Sequence, residues 1–162
     1  LVVADLGCGT GELATELATA VHQVVAVDRE AQMVAATRAR TAHLDNVTAC
    51  QGELHDLPLD GASVDVALCM LVLHYVSDLG AALAEVSRVL RPGGRLVVLD
   101  MDAHDREEYR RTMGHEHLGF SAETLESLAV SHGLTVRCRR ELPHAPEVLG
   151  PPLFLAVLQP TG

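Results

Sequence analysis

The sequence predicts an α/β fold: a doubly wound, mostly parallel sheet with an antiparallel C-terminal strand, covered on both faces by helices in three layers. Three observations carry that expectation. Apolar runs of β type alternate with runs of helical period from the first residues onward, the order that crossover helices between parallel strands impose. The run "DLGCGTG", Asp5 to Gly11, places glycines between the first strand and the first helix, where a backbone can turn tightly and approach a ligand. Finally, "LTVRCRREL" and "LFLAVLQP" are joined by a Pro-rich connection with no helical run, so they must pair antiparallel.

The elements follow in order. "LVVADL" is the first strand, and "ELATELATAV" a helix with Leu13, Leu17 and Val21 on one stripe. "QVVAVD" is the second strand, "EAQMVAATRARTAH" a helix, "NVTACQG" the third strand and "SVDVALCML" a strand buried on both faces. "DLGAALAEVSRVL" puts Leu79, Leu83, Val86 and Leu90 on one helical face, and "RPGG" ends it because Pro92 cannot continue a helix. The strand "RLVVLDM" comes next. From Asp102 to Phe120 the sequence is polar and has no sheet-facing pattern, which predicts a short helix and a loop on the rim. Ser121 is the expected N-cap of "AETLESLAVSH", and Gly133 its stop.

Length and composition narrow the function. The 162 residues suit one domain, 1–162, with a single core. No apolar run reaches the length of a membrane span, because Asp65 and His74 interrupt "VDVALCMLVLHYV", and the expectation is a protein that meets no membrane. No secretory signal opens the chain, and the absence of an initiator Met reads as an excised piece. With 22 acidic against 12 basic residues the net charge is −10, which disfavours nucleic acid as a partner of this domain alone. The four cysteines form no CxxC pair and no metal spacing with histidine, so reduced thiols in the cytoplasm and no metal are expected. Nothing in the pattern assigns an oligomeric state.

Gly7, Gly9 and Gly11 are spaced GxGxG, and the position where a dinucleotide fingerprint carries its third glycine is Glu12. A pyrophosphate would meet that carboxylate. A phosphate-free nucleoside with a positive sulfonium tolerates both Asp5 and Glu12, and S-adenosylmethionine is such a ligand.

With these motifs in order, the chain resembles the class I S-adenosylmethionine-dependent methyltransferases of Rossmann-like fold, in particular their UbiE-like branch. The resemblance implies that Asp5 helps to hold the methionine ammonium and that Gly7, Cys8, Gly9 and Gly11 pass beside the cofactor. Asp28, ending "VVAVD", matches the acid that grips the ribose diol, a task that suits a carboxylate able to accept two charge-assisted hydrogen bonds at once. "GELHDLPL" is similar to the family's "GDAEDLPF", which implies Glu53 near the adenine amino group and a Leu54 backbone N–H at the ring; Arg29, Met33 and Cys69 complete the implied cofactor contacts. The tail, "HDREEYRRTMGHEHLGFSAETLESLAVSHGL", looks like methyltransferase domains fused behind ArsR-type regulators, although His117 stands where those relatives commonly carry Trp. Helices that precede the first strand in the family are not in this sequence, so a more open pocket is expected.

The implied reaction is methyl transfer by in-line displacement to a small-molecule acceptor. His74 and His104 are the candidate catalytic bases, His74 because it follows the fourth strand, where such sheets present their ligands. Asp105, His115 and His117 share the polar rim segment with His104. Two rival readings stay open: a non-catalytic domain that senses S-adenosylmethionine or S-adenosylhomocysteine for a regulator, and a nicotinamide dehydrogenase, which the GxGxG spacing disfavours.

Overall fold

The structure, a computed structural model, describes residues 1–143 and 149–161. Seven strands form one sheet in the order β3-β2-β1-β4-β5-β7-β6. They are β1 (Val2–Leu6), β2 (Gln23–Asp28), β3 (Val47–Gln51), β4 (Val64–Met70), β5 (Leu90–Met101), β6 (Leu134–Glu141) and β7 (Leu153–Pro160). Pairing is parallel from β3 through β5, and β7 runs antiparallel to both β5 and β6. The antiparallel C-terminal strand is thus present as expected, while most of the Pro-rich connection ahead of it, residues 144–148, lies outside the described residues.

Period-two alternation along β2 shows why helices are needed on both faces. Val25 and Val27 join the larger apolar cluster with Leu83 and Val86 of α3 (Leu79–Val89) and Leu125 and Ala129 of α5 (Ala122–Ser131). Val24 and Ala26 point the other way, into a smaller cluster with Ala14 of α1 (Glu12–Leu17) and Val34 of α2 (Ala31–Arg40). The remaining helix, α4 (Glu108–Met113), lies in the rim segment.

Two local expectations are corrected. The first helix is only six residues long, and its fully buried residue is Ala14, with Leu13 half-buried; Leu17 and Val21 do pack on the smaller cluster, Val21 from the turn that follows. Leu90 is not the last core residue of α3 but the first residue of β5, opposite Val64. "RPGG" is therefore an irregularity inside a strand: the register slips between Val64 and Val66, where the partner jumps from Leu90 to Arg95. Helix capping at α5 matches the sequence, since the Ser121 hydroxyl accepts from Thr124 N–H at 3.2 Å.

Candidate functional site

Chain order reverses between β1 and β4, the place where open α/β sheets bind their ligands beyond the carboxyl ends of the strands. A cleft of about 320 Å³ opens there, with Gly7, Asp28, Glu53, Leu54, Leu71 and Tyr75 in its wall. Gly7 has φ +79°, and a Cβ on it would sit 2.4 Å from Val72 Cγ2 across the cleft, so only glycine fits. The loop behind it is tied down on all sides. Gly7 and Cys8 N–H donate to the Val27 carbonyl at 2.7 and 3.0 Å, Gly9 N–H to Asp28 Oδ2 at 2.9 Å, and the Thr37 hydroxyl to the Gly9 carbonyl at 2.9 Å. Arg40 adds a bond to the Thr10 carbonyl at 2.8 Å and an ion pair to Glu12 at 3.4 Å.

Two carboxylates dominate the electrostatics. Asp28 ends β2 and accepts from Gly9 N–H on Oδ2 and from Glu30 N–H on Oδ1, at 2.9 and 3.0 Å, which leaves each oxygen a further lone pair for a ligand. Asp5 is 2% exposed, and its Oδ2 has no partner among the described residues. Burial, reinforced by the charge of Asp28, raises its pKa from 3.8 to about 6. A buried carboxylate without a donor is a site prepared for a cation or a donor group.

The remaining cofactor candidates divide. Arg29, Glu53 and Leu54 lie in the cleft wall with Gly7 and Asp28. Gly9 and Gly11 shape the loop without lining the cleft, and Met33 sits half-buried in the first turn of α2, also off the wall. Cys8 and Cys69 are buried in the apolar clusters. Burial pushes the Cys8 thiol up to about 11 and raises that of Cys69 as well, with Asp100 and Asp5 adding to the latter, so neither acts as a nucleophile.

Both candidate bases belong to a cluster of rings on the other side of the switch point. His74, in a single 3₁₀ turn over Leu73–Tyr75, is 1% exposed, and its Nδ1 lies 2.7 Å from Asp100 Oδ1. The rim segment folds over this turn: Glu116 and His117 N–H both donate to the His74 carbonyl, and His117 Nε2 lies 2.8 Å from the Val76 carbonyl. His115 is thereby buried against His74, ring centroids 4.3 Å apart, with Tyr75 and Tyr109 at its edges. His104 stands beyond, 5.2 Å from Tyr109. Burial lowers the pKa of both His104 and His115, Arg106 depressing the first further and His74 the second. Asp105 is not part of these ring contacts, and among the described residues no group of His, Cys, Asp or Glu is arranged to hold a metal.

Sequence reasoning missed four residues of the site. Asp100 is the penultimate residue of β5, close to the strand end that Asp28 occupies in β2, and that similarity was a usable signal. Tyr75 stands next to His74 and lines the cleft, whereas the buried Thr37 that braces the glycine loop gives no sign of its role in the sequence. Leu71 adopts φ +59°, a left-handed conformation that nothing in its neighbours announces.

A family model described as "Methyltransferase domain" matches residues 4–98. An uncharacterized methyltransferase of Mycobacterium tuberculosis is 41% identical over 112 residues, 69% of this chain and 44% of that protein. A malonyl-[acyl-carrier protein] O-methyltransferase of Hahella chejuensis is 33% identical over 150 residues, 86% of this chain and 53% of that protein. The chain thus spans about half the length of these curated relatives. Among solved structures, an S-adenosylmethionine-dependent methyltransferase from Mesorhizobium loti superposes with a TM-score of 0.82 at 23% identity, covering 98% of this chain and 90% of that one, which supports the fold.

Proposed function

The chain belongs to the methyltransferase-domain family, and from that premise we propose that it binds S-adenosylmethionine at the β1–β4 switch point and transfers the methyl group to a small-molecule acceptor. The observation that carries this reading is Asp28, whose carboxylate ends β2 in the cleft wall while it clasps the glycine loop. The residues fit the cofactor. The unpartnered Asp5 carboxylate suits an ammonium group, and the spare lone pairs of Asp28 suit a ribose diol.

When bound, S-adenosylmethionine supplies a sulfonium methyl group open to in-line displacement. The chain's own contribution is then position and dryness. Gly7 lets the backbone run beside the ligand, Asp28 in the cleft wall would hold the diol, the buried Asp5, which is not part of that wall, would attract the ammonium by its charge, and Leu54, Leu71 and Tyr75 keep water from the middle. Alignment of this kind can supply up to roughly 7–11 kcal/mol of a barrier. His74 and His104 remain the proposed bases, with His74, bonded to Asp100, the better oriented of the two.

Titration with S-adenosylhomocysteine and with NAD tests the reading by calorimetry. We expect S-adenosylhomocysteine to bind and Asp28→Ala to weaken it by about one to three orders of magnitude, the loss of one or two charge-assisted hydrogen bonds. Unchanged affinity in the variant would refute the assignment, and tighter binding of NAD would revive a dehydrogenase. The proposal also likens the chain, on its tail "HDREEYRRTMGHEHLGFSAETLESLAVSHGL" and despite His117 in place of Trp, to methyltransferase domains fused to ArsR-type regulators, and puts it in the cytoplasm; no described helix is long and apolar enough to cross a membrane. Methyl transfer to any acceptor separates an enzyme from a domain that only senses the cofactor.

A further inference from the structure

Asp5 and Asp28 stand on the paired strands β1 and β2 and have opposite surroundings. Asp28 takes a backbone N–H on each of its oxygens. Asp5 is flanked across the sheet by Ala26 of β2 and Leu68 of β4, both buried and apolar, so its neighbours in the sheet bring it no side-chain dipole. The residue is 2% exposed, and its Oδ2 has no partner among the described residues. A carboxylate in such a place is costly to ionise unless positive charge comes with it, and the cheaper alternative is to keep a proton.

The titratable groups that face Asp5 bring no positive charge. Asp28 faces it from β2, Cys8 from the glycine loop and Cys69 from β4, and burial keeps both thiols protonated. Glu12 and Glu16 of α1 are exposed and acidic. The arginines of α2 and of the turn before it are taken up elsewhere: Arg40 bonds the Thr10 carbonyl and pairs with Glu12, Arg38 bonds the Ala49 carbonyl, and Arg29 pairs with Glu30. Burial, together with the charge of Asp28, raises the Asp5 pKa from 3.8 to about 6. Because Asp28 lies in the cleft wall, a charge held in that wall is felt at Asp5, and coupling of this kind is reciprocal. A positive charge in the cleft therefore favours the ionised form.

We propose that Asp5 holds a proton in the ligand-free protein and releases it to solvent when a ligand bearing an ammonium group enters the cleft, so that the site exchanges one proton for that charge and selects nucleosides with an amino-acid tail over those without one. The inference rests on the methyltransferase reading above and concerns the regulation of the same site. In the exchange the O–H bond of the Asp5 carboxyl breaks, its electron pair stays on the oxygen, and no covalent bond forms to the ligand. The sign follows from the raised pKa of the free protein. Affinity is full above that pKa and is lost as pH falls through about 6, because at lower pH the ligand must first displace the proton. A nucleoside without the ammonium gains nothing from ionisation and keeps the same affinity throughout.

The test uses the full chain and two probes, S-adenosylhomocysteine and 5′-methylthioadenosine, which share the adenine, the ribose and a thioether and differ in the amino-acid tail. Calorimetry at pH 5, 6 and 7, in buffers of different ionisation enthalpy, reads affinity and proton release together. S-adenosylhomocysteine should bind about tenfold more weakly at pH 5 than at pH 7, the ratio that one group with a pKa of about 6 produces, and release about half a proton at pH 6. Its advantage over 5′-methylthioadenosine should narrow by the same factor toward pH 5. Asp5→Asn should remove both the step and the proton release, and thermal melts show whether that variant folds. Carbon-13 carboxyl titration of wild type needs no variant: the Asp5 signal should titrate near pH 6 in the free protein and at lower pH in the S-adenosylhomocysteine complex. In ligand-free Asp28→Asn the same signal should titrate at lower pH, because one cause of the shift is gone. A flat profile for S-adenosylhomocysteine, an equal step for 5′-methylthioadenosine, a step that survives Asp5→Asn, or an Asp5 titration that the ligand leaves unmoved would each overturn the proposal. If S-adenosylhomocysteine binds with a flat profile, the exchange falls and the methyltransferase reading stands; if it does not bind at pH 7, that reading falls first.

Discussion

The two sides of the switch point are built in opposite ways. On the glycine side, Asp5 through Gly11 and Asp28 through Glu30 are short continuous segments whose backbone groups bond one another, and the polar atom left over is a carboxylate, Asp5 Oδ2. On the ring side, His74, Asp100, His104 and His115 come from three separate stretches of chain, and what is left over is ring nitrogen together with Asp100 Oδ2. The first side is held by contacts across 19 and 28 positions, Gly9 to Asp28 and Gly9 to Thr37, all inside the first two strand–helix units, and takes nothing from the rim. The second depends on the rim segment lying where it does, so a change far from the rings can dismantle it.

The sharpest way to break that contrast is Gly119→Ala. Gly119 has φ +73°, and a Cβ there would lie 2.1 Å from the Asp102 carbonyl oxygen and 2.6 Å from its carbon, both backbone atoms. That contact belongs to the parallel bridge between Asp102 and Phe120, which begins the docking of the rim beside the Asp102–Arg139 ion pair at 2.7 Å. We expect a loss of about 3–4 kcal/mol in denaturant unfolding. S-adenosylhomocysteine affinity in the folded protein should change less than about threefold. If affinity falls with stability, the two sides are one unit and the contrast fails.

Asp5→Asn probes the glycine side and should change stability in the opposite direction. The folded protein holds the Asp5 proton more tightly than the unfolded chain, with pKa about 6 against 3.8. The resulting stabilisation is complete below pH 3.8 and is lost as pH rises through 6. At pH 8 the ionised group therefore costs the ligand-free fold roughly 2–3 kcal/mol, which the neutral Asn removes. The variant should melt higher than wild type at pH 8 and lose that advantage toward pH 4, while binding S-adenosylhomocysteine more weakly. A variant that is less stable at pH 8 would show that Asp5 is a structural residue.

The smallest effect is expected at Leu71, which joins the two sides. It holds φ +59° while its N–H donates to the Leu99 carbonyl at 2.7 Å, so the strained residue is pinned to β5. Leu71→Asn, better suited to that conformation, should stabilise by about 0.5–1 kcal/mol in urea unfolding, and a loss of stability would mean that the leucine side chain matters more than its backbone.

Much of this was legible before any coordinates. The alternation of β-type and helical runs was enough for the layer architecture, because each segment carries its own period. Asp5, Gly7 and Asp28 could be singled out because each falls near a strand end or in the glycine turn, while the bond from Gly9 to Asp28 across 19 positions needs β1 and β2 side by side. Helix ends were harder. The span of α3 was right until Leu90, where pairing with Val64 outweighed the helical pattern and drew "RPGG" into the strand. His74 was singled out for its position past β4 and does sit there, yet it is closed off from solvent by a rim whose course no residue type announced.

By itself, the sequence determined the strand order's local units, the glycine turn and the acid that ends β2, because each follows from the backbone preferences of a few adjacent residues. Only the tertiary structure decided that Asp100 meets His74 and that the rim buries His115 against it. Contacts across 26 and 41 positions depend on the sheet bringing β4 and β5 side by side and on one glycine passing close to the Asp102 backbone. Such closure is a property of the whole packed chain, and no short run of residues encodes it.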